Sequence, residues 1–189
     1  MIPGATKMRK NSNTIITNEK INDTKLTHAK KIITELYNEL PTYISRGYGP
    51  FLAAIYDSSG QLIAKTANTV VKDTCSHNHA EMNAIHAAEE ILHTYDLSAH
   101  NLSLYVTAEP CIMCLGGIML SGIKEIYFGV PSNIVEDITG FDEGFKPNWI
   151  EEFKHRNITV YGNIESKSGE KVLRDYVNKK HIIYKPERI

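Results

Sequence analysis

The chain has three cysteines in 189 residues, one tryptophan and a net charge of −1 with histidines neutral, and it lacks any run of the roughly eighteen apolar residues that a membrane span needs. Each scarcity closes off a class of protein. Three cysteines cannot staple a disulfide scaffold, so the fold must rest on a hydrophobic core, and a reducing compartment, the cytoplasm, is expected. Without a long apolar run no membrane association is expected, and the polar amino terminus has no apolar segment of the signal-peptide kind. A charge near zero gives no overall basic field for holding nucleic acid, although a local basic patch is compatible with it. What the chain does have is apolar residues, 42% of the total, enough for one well-buried domain.

Residues 1–22 are polar, with Pro3, Gly4 and a basic cluster from Lys7 to Lys10. They read as a flexible tail, and residues 23–189 as a single domain with a C-terminal extension from about residue 150. Asn22-Asp23-Thr24 can cap a helix whose apolar stripe is Leu26, Ala29, Ile32/Ile33, Leu36 and Leu40; Pro41 is expected to end it. Two short strands follow, 51–56 and 61–69, joined by the turn Asp57-Ser58-Ser59-Gly60. Ala84, Ala87/Ala88, Ile91/Leu92 and Tyr95 recur every three to four residues, as one face of a helix beginning near residue 79 would. Residues 102–106 and 126–130 read as strands on either side of a helix, 112–120, that is apolar nearly all round and so expected to be buried. Residues 131–150 read as a long connection, 158–161 as a fifth strand and 169–179 as a closing helix. The sum is an α/β chain, a three-layer α/β/α sandwich around a mixed five-stranded sheet whose later strands run parallel.

Two stretches carry chemistry. His79-Ala80-Glu81 is answered some thirty residues later by Pro110-Cys111-Ile112-Met113-Cys114. One histidine and two cysteines make a three-ligand set for zinc, the number that leaves a fourth position open for water. Cys111 and Cys114, three apart, share a helix face, whereas His79 and Glu81, two apart, would diverge in mid-helix. Both can therefore address one ion only from a helix's beginning. Two helix N-termini would then converge on the metal, their positive ends favouring thiolate over thiol.

The His-x-Glu and Pro-Cys-x-x-Cys pair resembles the zinc-dependent cytidine and deoxycytidylate deaminase superfamily, and most nearly its bacterial guanine deaminase branch. The resemblance implies the cytidine deaminase-like fold, zinc held by His79, Cys111 and Cys114, and Glu81 as the carboxylate that shuttles protons without being a ligand. The backbone near Ala80 and Glu109 would orient the departing amine. Pro50-Phe51 resembles the start of that branch's first strand, which places Phe51 at the substrate. Asn68, eleven residues before His79, matches an asparagine that holds the purine in guanine deaminases and tRNA adenosine deaminases alike; an amide offers one acceptor and two donors to a base edge. Gly140-Phe141-Asp142-Glu143 resembles a segment whose last acid reaches the purine, here Glu143.

Against the pattern, Ser76-His77-Asn78 stands where Pro-Thr-Ala is common, and Leu52 replaces a glycine. The expected activity is thus deamination of a purine base, guanine to xanthine first. A tRNA adenosine deaminase, favoured by Asn68 and by Lys179-Lys180-His181 with Lys185 and Arg188, and another free base or nucleoside, are the alternatives. A structural zinc module, closed by Cys75 as fourth ligand, is the rival from outside enzymology. A homodimer is expected, on the apolar 112–120 helix and the aromatics Phe141, Phe145 and Trp149. In the branch resembled, C-terminal segments exchange between subunits and cover the site; Tyr176 and Tyr184 are the candidate covers here.

Overall fold

The computed structural model describes residues 14–185. Its sheet has the order β1-β6-β5-β4-β2-β3. The strands are β1 (Ile16–Thr17), β2 (Leu52–Tyr56), β3 (Leu62–Ala67), β4 (Ser103–Ala108), β5 (Glu125–Val130) and β6 (Thr159–Gly162). β2 pairs antiparallel with both β3 and β4, while β4, β5 and β6 run parallel, as the strand–helix alternation implied.

Strand residues alternate between two cores. Ala53, Ile55, Leu104, Val106, Ile126, Phe128 and Val160 face one side, packed by α2 (Ala80–Leu92), α3 (Ile112–Ser121) and α5 (Trp149–His155). Leu52, Ala54, Tyr105, Tyr127 and Tyr161 face the other, under α1 (Asp23–Ser45), α4 (Ser132–Thr139) and α6 (Ser166–Asn178). Both sheet faces are thus covered, the three-layer arrangement expected for parallel strands.

Four expectations need correction. The sheet has a sixth strand, β1, because residues 14–22 are not a free tail. β1 pairs with β6, and Asn18 continues the pairing with its side chain, accepting from Val160 N at 3.0 Å and donating to Ile158 O at 3.0 Å. Polar groups on the outer edge of β6 are satisfied this way. The basic cluster from Lys7 to Lys10, like Arg188, lies outside the described residues.

Pro41 does not end α1, which continues to Ser45. The apolar stripe runs on to buried Ile44, and that packing offsets the one hydrogen bond that proline cannot donate. Residues 131–150 are not one loop either. Ile134, Val135 and Ile138, after Pro131 and before a left-handed Gly140, build α4. Finally, α3 is only half covered. Cys114, Leu115 and Ile118 are buried, but Leu120 is 80% exposed.

Candidate active site

Parallel strands present their carboxyl ends to one side of the sheet, and there β4 runs out at Ala108 into Glu109-Pro110-Cys111. Cys111 is the N-cap of α3 and His79 the N-cap of α2. His79 Nδ1 lies 3.5 Å from Cys111 Sγ and 3.7 Å from Cys114 Sγ, and the two sulfurs are 3.7 Å apart. Zinc bonds of about 2.3 Å to sulfur and about 2.0–2.1 Å to nitrogen, at tetrahedral angles, require sulfurs about 3.8 Å apart and sulfur–nitrogen edges of about 3.6 Å. The triangle fits zinc on all three edges, and Nδ1 is the nitrogen that faces it.

Among the described residues no fourth ligand joins these three. Cys75 turns elsewhere, its sulfur 3.3 Å from the ring of His77. The four-ligand structural module is therefore contradicted, and one coordination position is left for water.

The charges agree with a cation site. Cys111 is held well below the ordinary thiol value, because the Cys114 thiol donates to its sulfur and His79 stands beside it. Cys114, which gives up that hydrogen bond on ionising and is deeply buried, is pushed well above it. Burial opposes charge on His79, yet the contact with Cys111 and the nearby Glu81 raise it overall. Three groups that share protons in this way release them to a metal. Glu81, 8% exposed, is outside the ligand set but lines the same pocket. Burial first, and then the charge at Cys111, push its carboxyl up from the ordinary value.

The pocket holds about 350 Å³ of empty space, its mouth included. Asn68, Phe51 and Glu143 join Glu81 and His79 in its wall. Asn68 is fully buried and braced: its Oδ1 accepts from Val70 N at 3.2 Å. Gly49 backs it, since a Cβ there would lie 2.7 Å from Asn68 Oδ1. Phe51 packs on Phe141 with ring centroids 5.5 Å apart. Burial pushes the Glu143 carboxyl up to about 8. Ala80 is buried but is not in the wall; its carbonyl accepts from Thr66 Oγ1 at 2.7 Å, and its N–H belongs to the first turn of α2, which has no intrahelical acceptor.

Tyr184 closes the pocket. Asn68 Nδ2 donates to its hydroxyl at 2.7 Å, and its ring packs on Phe141 at 4.9 Å. Tyr176 instead supports the strand of chain leading there: it is buried, stacks on His181 and donates to Ile182 O at 2.7 Å. Of the two candidate covers, Tyr184 is therefore the one that lines the pocket.

Sequence reasoning missed the side chain of Glu109. Its Oε2 accepts from Ser132 N at 2.9 Å and its Oε1 from Trp149 Nε1 at 3.0 Å, tying the starts of α4 and α5 to the cysteine turn. Thr107 was missed as well; its hydroxyl accepts from Leu52 N at 3.0 Å and so joins β4 to β2 behind the pocket. An acid beside Pro-Cys was the visible signal for Glu109, but its partners lie 23 and 40 residues away.

Comparison with known proteins agrees with this geometry. Residues 22–130 match the family model described as the cytidine and deoxycytidylate deaminase zinc-binding region. The tRNA-specific adenosine deaminase of Bacillus subtilis is 31% identical over 146 residues, 76% of this chain and 86% of the relative. The guanine deaminase of the same organism is 30% identical over 140 residues, 72% of this chain and 88% of the relative. A solved structure of guanine deaminase from Nitrosomonas europaea superposes with a TM-score of 0.75 at 31% identity, covering 93% of this chain and 95% of that one.

Proposed function

The chain belongs to the zinc-dependent cytidine and deoxycytidylate deaminase family and is a hydrolytic deaminase of nucleobases or nucleosides; within that class we propose that it converts guanine and water to xanthine and ammonia. The observation that carries the proposal is that Glu143 lines the same pocket as Asn68 and the metal-ligand candidates His79 and Cys111. Guanine presents adjacent donors, N1–H and the 2-amino group, which the two oxygens of an ionised Glu143 can accept together, and their donation favours that ionised form against the burial that opposes it. Adenine and cytosine lack that pair. The likeness to the Nitrosomonas europaea guanine deaminase over nearly the whole of both chains supports the same choice.

Zinc, when bound, supplies the Lewis acidity that lets water lose a proton near neutral pH. Glu81 is placed to carry one proton of the attacking water to the ring nitrogen and the second to the leaving amine, which departs as ammonia. Phe51 packs on the flat face of the base. The N–H of Ala80 and the backbone at Glu109 orient the amine. Asn68 offers its amide to the purine edge, one N–H being shared with Tyr184 in the closed chain.

Asn68→Ala should weaken every purine substrate, whereas Glu143→Gln should harm guanine selectively. An unpaired buried polar group costs about 1–3 kcal/mol, and Gln turns donors toward donors. Guanine kcat/KM should fall at least about tenfold. Equal slowing of all substrates by Glu143→Gln would remove the guanine assignment and leave the deaminase chemistry standing.

The tRNA adenosine reading keeps one observation, the equal sequence likeness to a tRNA-specific enzyme, together with Lys179, Lys180 and Lys185 near the pocket's cover. It requires binding that drops steeply with salt, because phosphate contacts release counter-ions. A free base requires little change.

We read the protein as a homodimer through the α2–α3 layer. Met119 and Leu120 on α3 are exposed, as are Ile91 and Tyr95 at the end of α2. Trp149 and Phe141, two of the aromatics first assigned to an interface, are core residues instead. Sedimentation at micromolar concentration should return twice the chain mass, and a single chain mass there would contradict this. Three free cysteines, two of them poised as ligands, suit a reducing cytoplasm. Among the described residues no helix is long and apolar enough to cross a membrane.

A further inference from the structure

Asparagine is a weak helix former because its amide competes for nearby backbone groups. Asn83 nevertheless stands at the fourth position of α2, four residues after His79, and there its amide reaches back to the chain that precedes the helix. Its Nδ2 donates to Ala67 O at 3.0 Å and to Thr69 Oγ1 at 3.2 Å, and lies 3.4 Å from Asn78 O. An amide nitrogen carries two hydrogens, so the two shorter bonds are full and the third is shared.

The three oxygens gather at the neck of the loop 69–78, which leads from β3 to α2 and contains neither proline nor glycine. Its shape therefore depends on hydrogen bonds. Thr69 N donates to Asn78 O at 2.9 Å and closes the neck, while Asp73 N donates to Thr69 O at 2.8 Å and Cys75 N to Val70 O at 3.1 Å within the loop. Immediately before the neck stands Asn68, and immediately after it His79. The backbone of Asn68 is tied on its strand side, where its N–H donates to Phe51 O and its carbonyl accepts from Gly49 N, both at 3.0 Å. The direction of its amide is set from the loop instead, since Oδ1 accepts from Val70 N at 3.2 Å. A shift of the neck moves Val70, and with it the amide that lines the pocket.

We propose that Asn83 is a positioning residue: by clamping the neck of this loop it sets the direction of the Asn68 amide relative to the metal ligand His79. The proposal rests on the reading of Asn68 as the group that holds the purine edge, and not on guanine in particular. Asn83 is neither in the ligand set nor in the pocket wall. Its influence on substrate must therefore pass through the loop, and a coupling to Asn68 is what distinguishes this role from support of the fold alone.

The test is a double-mutant cycle of Asn83→Ala and Asn68→Ala on the purine that the wild-type protein accepts best, with zinc content and amide hydrogen exchange recorded for each protein. Asn83→Ala should raise KM at least about fivefold with zinc retained, the scale of one lost hydrogen bond. The Thr69 amide should exchange at least about tenfold faster, while the amides of Ile85 and Ala88 in α2 keep their protection. In the Asn68→Ala background the same substitution should add less than about twofold to KM, since the group it acts through is gone. Equal loss in both backgrounds, loss of zinc, or unchanged exchange at Thr69 would each overturn the proposal. If Asn83→Ala does not fold, Asn83→Leu, which fills the space without donors, takes its place in the cycle. Wild-type protein that accepts no purine, or an Asn68→Ala variant with KM unmoved, removes the reading of Asn68 and the proposal with it. A raised KM in Asn68→Ala beside an unmoved KM in Asn83→Ala removes the proposal alone.

Discussion

Replacing Glu81 with Gln lowers kcat by at least about 10²–10⁴-fold, the range of general acid–base catalysis, and leaves zinc content and thermal stability unchanged. The substitution keeps size and polarity but removes a buried carboxylate that lines the pocket with His79 and Cys111 and is itself outside the ligand set. Because the same carboxylate serves at the attack of water, at the ring nitrogen and at the leaving amine, the upper end of that range is expected. Burial holds the Glu81 carboxyl above its ordinary value. Turnover within a few-fold of wild type, in protein that retains zinc, would rule out this role.

Stripping the metal should abolish turnover altogether, and readdition of zinc should restore it. The stripped protein should also melt lower. A ligand that binds only the folded state stabilises it by about 4.1 kcal/mol when present at a thousand times its Kd. For a chain of this size that is on the order of 8–16 °C in Tm, at about 2–4 °C per kcal/mol. Cys114→Ser should copy both losses, since a hydroxyl does not ionise as a thiol does and Cys114 is fully buried. Full activity in the presence of a strong chelator, with no zinc found by metal analysis, would contradict the account.

The metal triangle was legible because its three ligands sit at local, repeating geometries. Two are helix N-caps, and the third follows one turn into the second helix; spacing alone reports such positions. Asn68, Phe51 and Glu143 were legible only through resemblance, and the pocket does bring all three together. What stayed hidden depends on partners distant in sequence. Glu109 is joined to Ser132 and Trp149 by hydrogen bonds that no local pattern announces, and Asn83 resembles a solvated helix residue until its partners 14 and 16 residues earlier are known. β1 escaped because two residues carry no periodicity, and Pro41 misled because tertiary packing outweighed a local rule. The signals for α4 were present in Pro131, Ile134, Ile138 and Gly140, but the two other breakers nearby, Gly144 and Pro147, made the whole stretch read as loop.

The central claim is that this chain releases ammonia from a purine base by hydrolysis and prefers guanine. Its most direct test is ammonia release from zinc-loaded protein offered guanine, adenine, cytosine, their nucleosides and a tRNA in parallel. The account expects guanine to give the highest kcat/KM, with xanthine formed in equal amount and little dependence on salt. Ammonia from the tRNA alone, or from none of the substrates, would contradict it.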